Sequence, residues 1–435
     1  MSKKTIRNIL IILFIAAVGF LLYFFFFRNT NEDLGINIER GDLTNPFGDF
    51  LPGDREDADR DFSFDFPNRD SNLRLITANP VSGFRLSQEL STSTDSLDEN
   101  SLSENSTSTE MTTIQTELLI NYVQRNNGNI FEARSSEIGN ERISNTTIPK
   151  VYEALFFNDS DSLIYRTLDE NLHDVIVTYL ATFDNEGEAT STQMDSLEGV
   201  FLTDNIRNIT VSENDDVFAL LINDEPRNTY SVGYLFNSDE ISDPEVIFES
   251  EITEFITEWV DDRYIAMTTK PSYLAEGYSY VLDTQTNELI KVLNRKIGLT
   301  TNYSPDSNKV LYSYNTNGFV NTYFQLIDDR EEISLGLSTL AEKCAWGPES
   351  VFLYCAISNN VLSGDFPDAW YKGQFNFDDV LISINTETFE SEIILNREDR
   401  PTQLDIYNMK VSPNNDYLVF QNKLDLSLWM LDLTN

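Results

Sequence analysis

The sequence predicts an all-β protein, a seven-bladed β-propeller, on three observations. From residue 71 onward, short apolar runs alternate with turn residues, and no long stretch keeps a helical period. The aromatics, 29 Phe and 19 Tyr, favour strands. A phrase that reads as a turn followed by a hydrophobic strand recurs six times: "FFNDSDSLIYR" at 156, "VSENDDVFALL" at 211, "EWVDDRYIAMT" at 258, "YSPDSNKVLYS" at 303, "AWGPESVFLYC" at 345 and "VSPNNDYLVFQ" at 411. Successive starts differ by 55, 47, 45, 42 and 66 residues, and most of these gaps suit a four-stranded blade of about 40–50 residues.

Taken in chain order, residues 1–28 read as a cytoplasmic stub and a transmembrane helix. Lys3, Lys4 and Arg7 precede an uncharged apolar run from Ile9 to Phe27. Nineteen residues at about 1.5 Å each span roughly 28 Å, close to the hydrocarbon thickness of a bilayer. The positive flank places the N-terminus inside and the rest of the chain outside. A cleaved signal peptide is the competing reading. The run is longer than an ordinary signal core and ends in four Phe rather than small residues, which favours an uncleaved anchor. Residues 29–70 read as an acidic, disordered tether, with the charge run "GDREDADRD" at 53–61.

The propeller is expected over 71–435. "NLRLITANP" at 72–80 is a strand without a blade of its own. The Ser- and Thr-rich stretch 91–113 reads as a disordered loop. A seventh unit, with a divergent turn, is expected at 118–144. Second hairpins follow the turn phrases, clearest in "YSYVLDTQTNELIKVL" at 278 and "VLISINTETFESEIIL" at 380. The ending "LSLWMLDLTN" reads as the third strand of a blade lacking its fourth. If residues 72–80 supply that strand, the ring closes and no edge stays unpaired.

Cys344 and Cys355 flank "AWGPESVFLY". A hairpin turning at its centre would set them opposite each other on paired strands, near the Cβ separation a disulfide needs. An oxidising compartment outside the membrane permits the bond; two buried free thiols are the alternative. The long last gap maps to an insertion, residues 358–379, rich in aromatics. Phe366, Trp370, Tyr371, Lys372 and Phe375 are the candidate binding residues, because Trp and Tyr carried on scaffold loops are where recognition concentrates. The alternative is that the insertion caps its blade or plugs the channel, with its aromatics inside.

The Ser-Pro-Asp turn at 304–306, the strand after it and the ending "LWMLDL" at 428–433 resemble TolB-type propeller repeats, periplasmic relatives of the WD40 class. The resemblance extends loosely over 71–435 and is strongest at 304–314 and 412–433. "RISNTTIPKVYEAL" and "EKCAW…FPDAWYKG" are similar to membrane-anchored bacterial proteins of no known activity. The TolB-type resemblance implies a scaffold or docking role outside the cytoplasmic membrane.

Charge narrows the function. Lys plus Arg number 30 and Asp plus Glu 72, a net −42, so a nucleic-acid partner is excluded. The single histidine, His173, cannot form a multi-histidine metal site, and no G-x-S-x-G elbow is present to hold a nucleophile. Acid clusters such as "NDSDS" at 158–162 lack calcium-loop spacing and read as turn residues. No catalytic residue, metal ligand or cofactor is assigned. The expected function is a membrane-anchored, extracytoplasmic protein-binding or scaffolding module at the cell envelope, with an envelope protein as partner. Two alternatives stay open: an envelope sensor or receptor for a small ligand, glycan or cation, and a propeller hydrolase or lyase that uses acidic residues.

Overall fold

The structure is a computed structural model. It describes residues 72–434 except 95–111, 159–161, 170–174, 184–196, 226–227, 238–240, 242, 329 and 359–361. The expected membrane span and tether, His173 and residues 95–111 lie outside the described residues. Among the described residues no helix is long and apolar enough to cross a membrane.

Strand β1 (Leu73–Thr77) precedes the first complete blade. Blade 1 holds β2 (Val81–Thr94), β3 (Thr112–Gln124), β4 (Ile130–Arg134) and β5 (Asn140–Arg142). Blade 2 holds β6 (Glu153–Phe156), β7 (Ser162–Leu168), β8 (Ile176–Phe183) and β9 (Leu197–Phe201). Blade 3 holds β10 (Asn208–Val211), β11 (Asp216–Glu225), β12 (Asn228–Asn237) and β13 (Glu245–Ser250). Blade 4 holds β14 (Phe255–Trp259), β15 (Tyr264–Thr269), β16 (Glu276–Asp283) and β17 (Glu288–Ile297). Blade 5 holds β18 (Thr300–Tyr303), β19 (Lys309–Thr316), β20 (Phe319–Leu326) and β21 (Glu332–Leu337). Blade 6 holds β22 (Cys344–Trp346), β23 (Phe352–Ser358), β24 (Asp379–Asn385) and β25 (Ser391–Leu395). Blade 7 holds β26 (Ile406–Val411), β27 (Tyr417–Asn422) and β28 (Leu428–Asp432), and β1 is its fourth strand. The protein is therefore an all-β, seven-bladed propeller.

Closure is antiparallel, with Leu73 opposite Leu431 and Leu75 opposite Trp429. Arg74 on β1 extends the seam by donating to the carbonyls of Arg134, Ser135 and Glu137 in blade 1. One structural unit differs from the sequence expectation of 118–144. Blade 1 begins at Val81, because residues 91–94 and 112–113 are paired strand and the Ser/Thr-rich stretch lies between β2 and β3. Polar Ser and Thr hide these strand ends from a hydrophobicity reading.

Burial explains the strand sequences. The second strand of each blade is covered on both sides by neighbouring sheets, so it reads as a continuous apolar run, as in Val310, Leu311 and Tyr312 of β19. Outer strands alternate, as β21 does. Among the described residues, seven apolar cores lie between successive blades, one per interface, including the interface of blade 7 with blade 1. The inner strands of blades 1 and 2 pass so closely that a Cβ at Gly83 would lie 1.9 Å from Ala154 O, which only glycine permits.

The recurring turn phrase joins each inner strand to the second strand, so its copies share one face of the ring. Ser212, Ser304 and Ser412 accept on Oγ from the N–H groups of Asp216 (2.9 Å), Lys309 (2.9 Å) and Asp416 (3.0 Å). Three residues after each serine the backbone turns left-handed, at Asp215 (φ 64°), Ser307 (57°) and Asn415 (61°), where Asn, Asp and Ser are tolerated. The turns also join neighbouring blades. The Asn158 N–H donates to Asp215 Oδ1 (2.6 Å) and the Asp306 N–H to Ser350 Oγ (3.1 Å).

Cys344 and Cys355 are paired in register on β22 and β23 and form a disulfide, with Cα atoms 4.1 Å apart. The bond is buried in the core between blades 5 and 6.

Candidate functional site

The insertion connects the second and third strands of blade 6, on the face opposite the recurring turns. From Leu362 the chain passes a cis Phe366–Pro367 peptide, forms a short helix α1 (Asp368–Tyr371) and returns through Phe377 to β24. Leu362, Phe366, Trp370 and Phe377 pack with Val320 and Leu340 of blade 5 and its exit, and against Tyr407 on the inner strand of blade 7. Trp370 meets Phe377 edge-on at 6.0 Å.

Polar contacts spread the insertion over four blades. The Tyr273 N–H in blade 4 donates to Asp368 Oδ2 (2.7 Å), and Asn315 Nδ2 in blade 5 donates to Gly364 O (3.0 Å). Lys423 Nζ in blade 7 donates to Trp370 O (2.7 Å), and the Tyr371 hydroxyl bonds the Glu342 carboxylate. The insertion thus lies across this face from blade 4 to blade 7.

Beneath it is an ionic core. Lys343 Nζ lies 2.7 Å from Asp405 Oδ1, 2.8 Å from Asp379 Oδ2 and 2.7 Å from Ile406 O, and all three side chains are fully buried. The ammonium sits under the rings of Phe377 and Trp370 at 4.2 and 5.1 Å. Asp405 also accepts from Trp370 Nε1 (3.0 Å) and the Phe377 N–H (3.0 Å), so two of the insertion's buried aromatic residues are fixed through this carboxylate. Asp379 accepts from the Ile406 N–H (2.7 Å). Burial pushes Asp379 up to about 6, against the pull of Lys343 toward the ionised form. Fully buried, this network positions the insertion and has no access to a substrate.

The inner strands carry the ionisable groups of the central channel. Lys410 on β26 and Glu258 on β14 stand on inner strands and keep solvent-accessible surface. Burial pushes Glu258 up to about 7, with Tyr303 of the next blade beside it, and pushes Lys410 down to about 8, helped by the neighbouring Arg85 charge. At the insertion end, burial pushes Glu342 up to about 7. Among the described residues no group of acids, histidines or cysteines is arranged to hold a metal ion.

The structure divides the five residues expected to bind a partner. Phe366 and Trp370 are 5 % and 3 % exposed, because they pack with Val320 and Leu340 of blade 5 and its exit and with Tyr407 of blade 7. Tyr371, Lys372 and Phe375 are at the surface, with Lys372 3.5 Å from Asp368. The insertion is therefore a cap with an outer rim, and the two readings of it apply to different side chains. Sequence reasoning missed Lys343, Asp379, Asp405, Lys410, Arg85 and Glu258. The one available signal was Lys343 inside "LAEKCAW", a charge between residues that pack.

No protein-family model matches the chain, and neither does any curated protein. Solved structures similar to it include an oligogalacturonate lyase in complex with manganese, 11 % identical, covering 73 % of this chain and 86 % of that one with a TM-score of 0.46. TolB from Acinetobacter baumannii is 12 % identical, covering 81 % of this chain and 80 % of that one, with a TM-score of 0.40. An acylaminoacyl peptidase from Pyrococcus horikoshii is 12 % identical, covering 73 % of this chain and 50 % of that one, with a TM-score of 0.45.

Proposed function

We propose that the protein is a membrane-anchored, extracytoplasmic propeller that binds a protein partner through the face carrying the insertion. The observation that carries this reading is a group of exposed apolar side chains on that face. Leu274 (78 % exposed) and Ile297 belong to blade 4, Phe319 (50 %) to blade 5, Tyr371 and Phe375 to the insertion and Leu424 to blade 7. They surround a cap whose own core is already satisfied, and clustered apolar groups on loops held by a rigid scaffold mark interaction sites. The apolar run from Ile9 to Phe27 with its basic flank supports the anchor, and a buried disulfide suits an oxidising compartment.

The test is affinity capture after crosslinking in intact cells, comparing the wild type with a Leu274→Ser, Phe375→Ser double variant. Both substitutions replace surface groups, so the melting temperature should hold while the captured protein is lost. Unchanged capture by the folded variant would assign binding elsewhere. Protease added outside cells with a permeable outer barrier should digest the propeller; full protection would refute the extracytoplasmic placement.

A further inference from the structure

We infer that Lys343 and Asp405 become joined by an isopeptide bond, an amide between their side chains, formed within the fold with Asp379 as its acid–base group. All three side chains are fully buried. Lys343 Nζ, the nucleophile, lies 2.7 Å from Asp405 Oδ1 and 2.8 Å from Asp379 Oδ2. An amine and a carboxyl held in contact gain the proximity that turns a slow condensation into an intramolecular one. The ion pairs of Lys270, Lys296, Lys309 and Lys372 keep exposed surface on both partners, so none of them offers such a site.

One ammonium needs one carboxylate, and a second carboxylate buried beside it is a cost that an ion pair alone leaves unexplained. The two aspartates differ in their surroundings. Asp405 accepts on Oδ2 from Trp370 Nε1 (3.0 Å) and the Phe377 N–H (3.0 Å), two fixed donors placed to hold the charge that develops on that oxygen when Cγ is attacked. Asp379 uses only Oδ2, toward Nζ and the Ile406 N–H (2.7 Å), and its buried Oδ1 has no hydrogen-bond partner. Burial raises the Asp379 carboxyl to about 6, which suits it to take up a proton and give it back. Asp379 takes a proton from the ammonium, and the freed lone pair attacks Asp405 Cγ. The C–N bond forms and the C–Oδ1 bond breaks. Oδ1 leaves as water with two protons that came from Nζ and passed through Asp379. The opposite charges of Lys343 and Asp405 cancel, and no oxidant or co-reactant enters. Full burial shields the amide from hydrolysis. The bond ties the start of blade 6 to the start of blade 7 across a sequence separation of 62, beneath the insertion. Removing Lys343 strands the same two carboxylates before or after the bond forms. The bond is independent of partner binding at the capped face, and the failure of either leaves the other standing.

The test is peptide mass spectrometry on the purified full chain, reduced and then digested. A branched peptide joining residue 343 to residue 405, lighter than the sum of its two arms by one water, is expected, together with loss of the linear peptide that carries Lys343. The branch should be absent from Lys343→Met and Asp405→Ala. Asp379→Asn, checked for folding by circular dichroism, should lower the linked fraction at least about tenfold. The wild-type digest decides the matter even if a variant fails to fold. Lys343 recovered only in its linear peptide, or a branch at residue 379 in place of 405, overturns the inference; a linked fraction in folded Asp379→Asn equal to that of wild type overturns the role of Asp379.

Discussion

Replacing Lys343 by methionine tests whether the insertion is held by charge. The substitution keeps the length of the chain's apolar stem and removes the ammonium that lies 2.7 Å from Asp405 and 2.8 Å from Asp379. Removing one partner of a buried ion pair costs about 3–5 kcal/mol, because the remaining charge stays in a dry site. With an unfolding entropy of about 2.1 cal/mol/K per residue over Asn68–Asn435, that corresponds to a fall in Tm of about 4–6 °C. The loss must also depend on pH. Asp379 is raised in the folded protein to about 6, from 3.8. A carboxyl raised on folding contributes stability that is fully present below the unfolded value and is lost as pH rises through the folded one. Without Lys343 the folded value climbs further, so the deficit against wild type should be largest at pH 8 and shrink toward pH 5. Thermal unfolding followed by circular dichroism at both pH values measures this. A deficit below about 1 kcal/mol, the range of an exposed pair, or one as large at pH 5 as at pH 8, would refute the reasoning.

Three further predictions follow from the same geometry. Cys344→Ala with Cys355→Ala opens a loop of sequence separation 11 and should cost about 3 kcal/mol by loop entropy; denaturant unfolding checks it, with an unchanged midpoint as the contrary result. Trp370→Ala removes a buried ring and its bond to Asp405 and should cost about 3–5 kcal/mol, whereas Phe375→Ser should change stability by less than about 0.5 kcal/mol; equal losses in chemical denaturation would contradict the division into cap and rim. Glu258 is raised to about 7 by burial, so the wild type should lose stability relative to Glu258→Gln as pH rises through 7, read as a difference in Tm across pH 5 to 9; a constant difference would contradict the desolvation of Glu258.

The ring was legible because its grammar is local. Ser304 and Ser307 of one turn, or Ser412 and Asn415 of another, specify an oxygen acceptor and a left-handed residue three apart, and the next residues are a strand. Spacing then counts blades, and the centre of "AWGPESVFLY" sets the register of Cys344 and Cys355. The insertion announced itself as an excess of length. Which of its aromatics face inward was not legible, since the surfaces that bury Phe366 and Trp370 come from blades 5 and 7. The ionic core and the channel were hidden for the same reason. Lys343 meets Asp405 62 positions away, and Lys410 meets Phe84 326 positions away, across a closure that only the folded ring creates. Strand patterning gives an inner-strand lysine or glutamate no signature, because a polar residue facing a channel and one facing solvent alternate in the same way.

Site-specific photocrosslinking in intact cells tests the proposed function most directly. A photoreactive residue replaces Phe375 on the insertion face or Phe389, an exposed residue in the turn between β24 and β25 on the opposite face. The expected result is a discrete protein adduct from position 375 and none from position 389. Adducts from 389 alone, or none from either position in folded, membrane-fractionated protein, would contradict binding through the capped face.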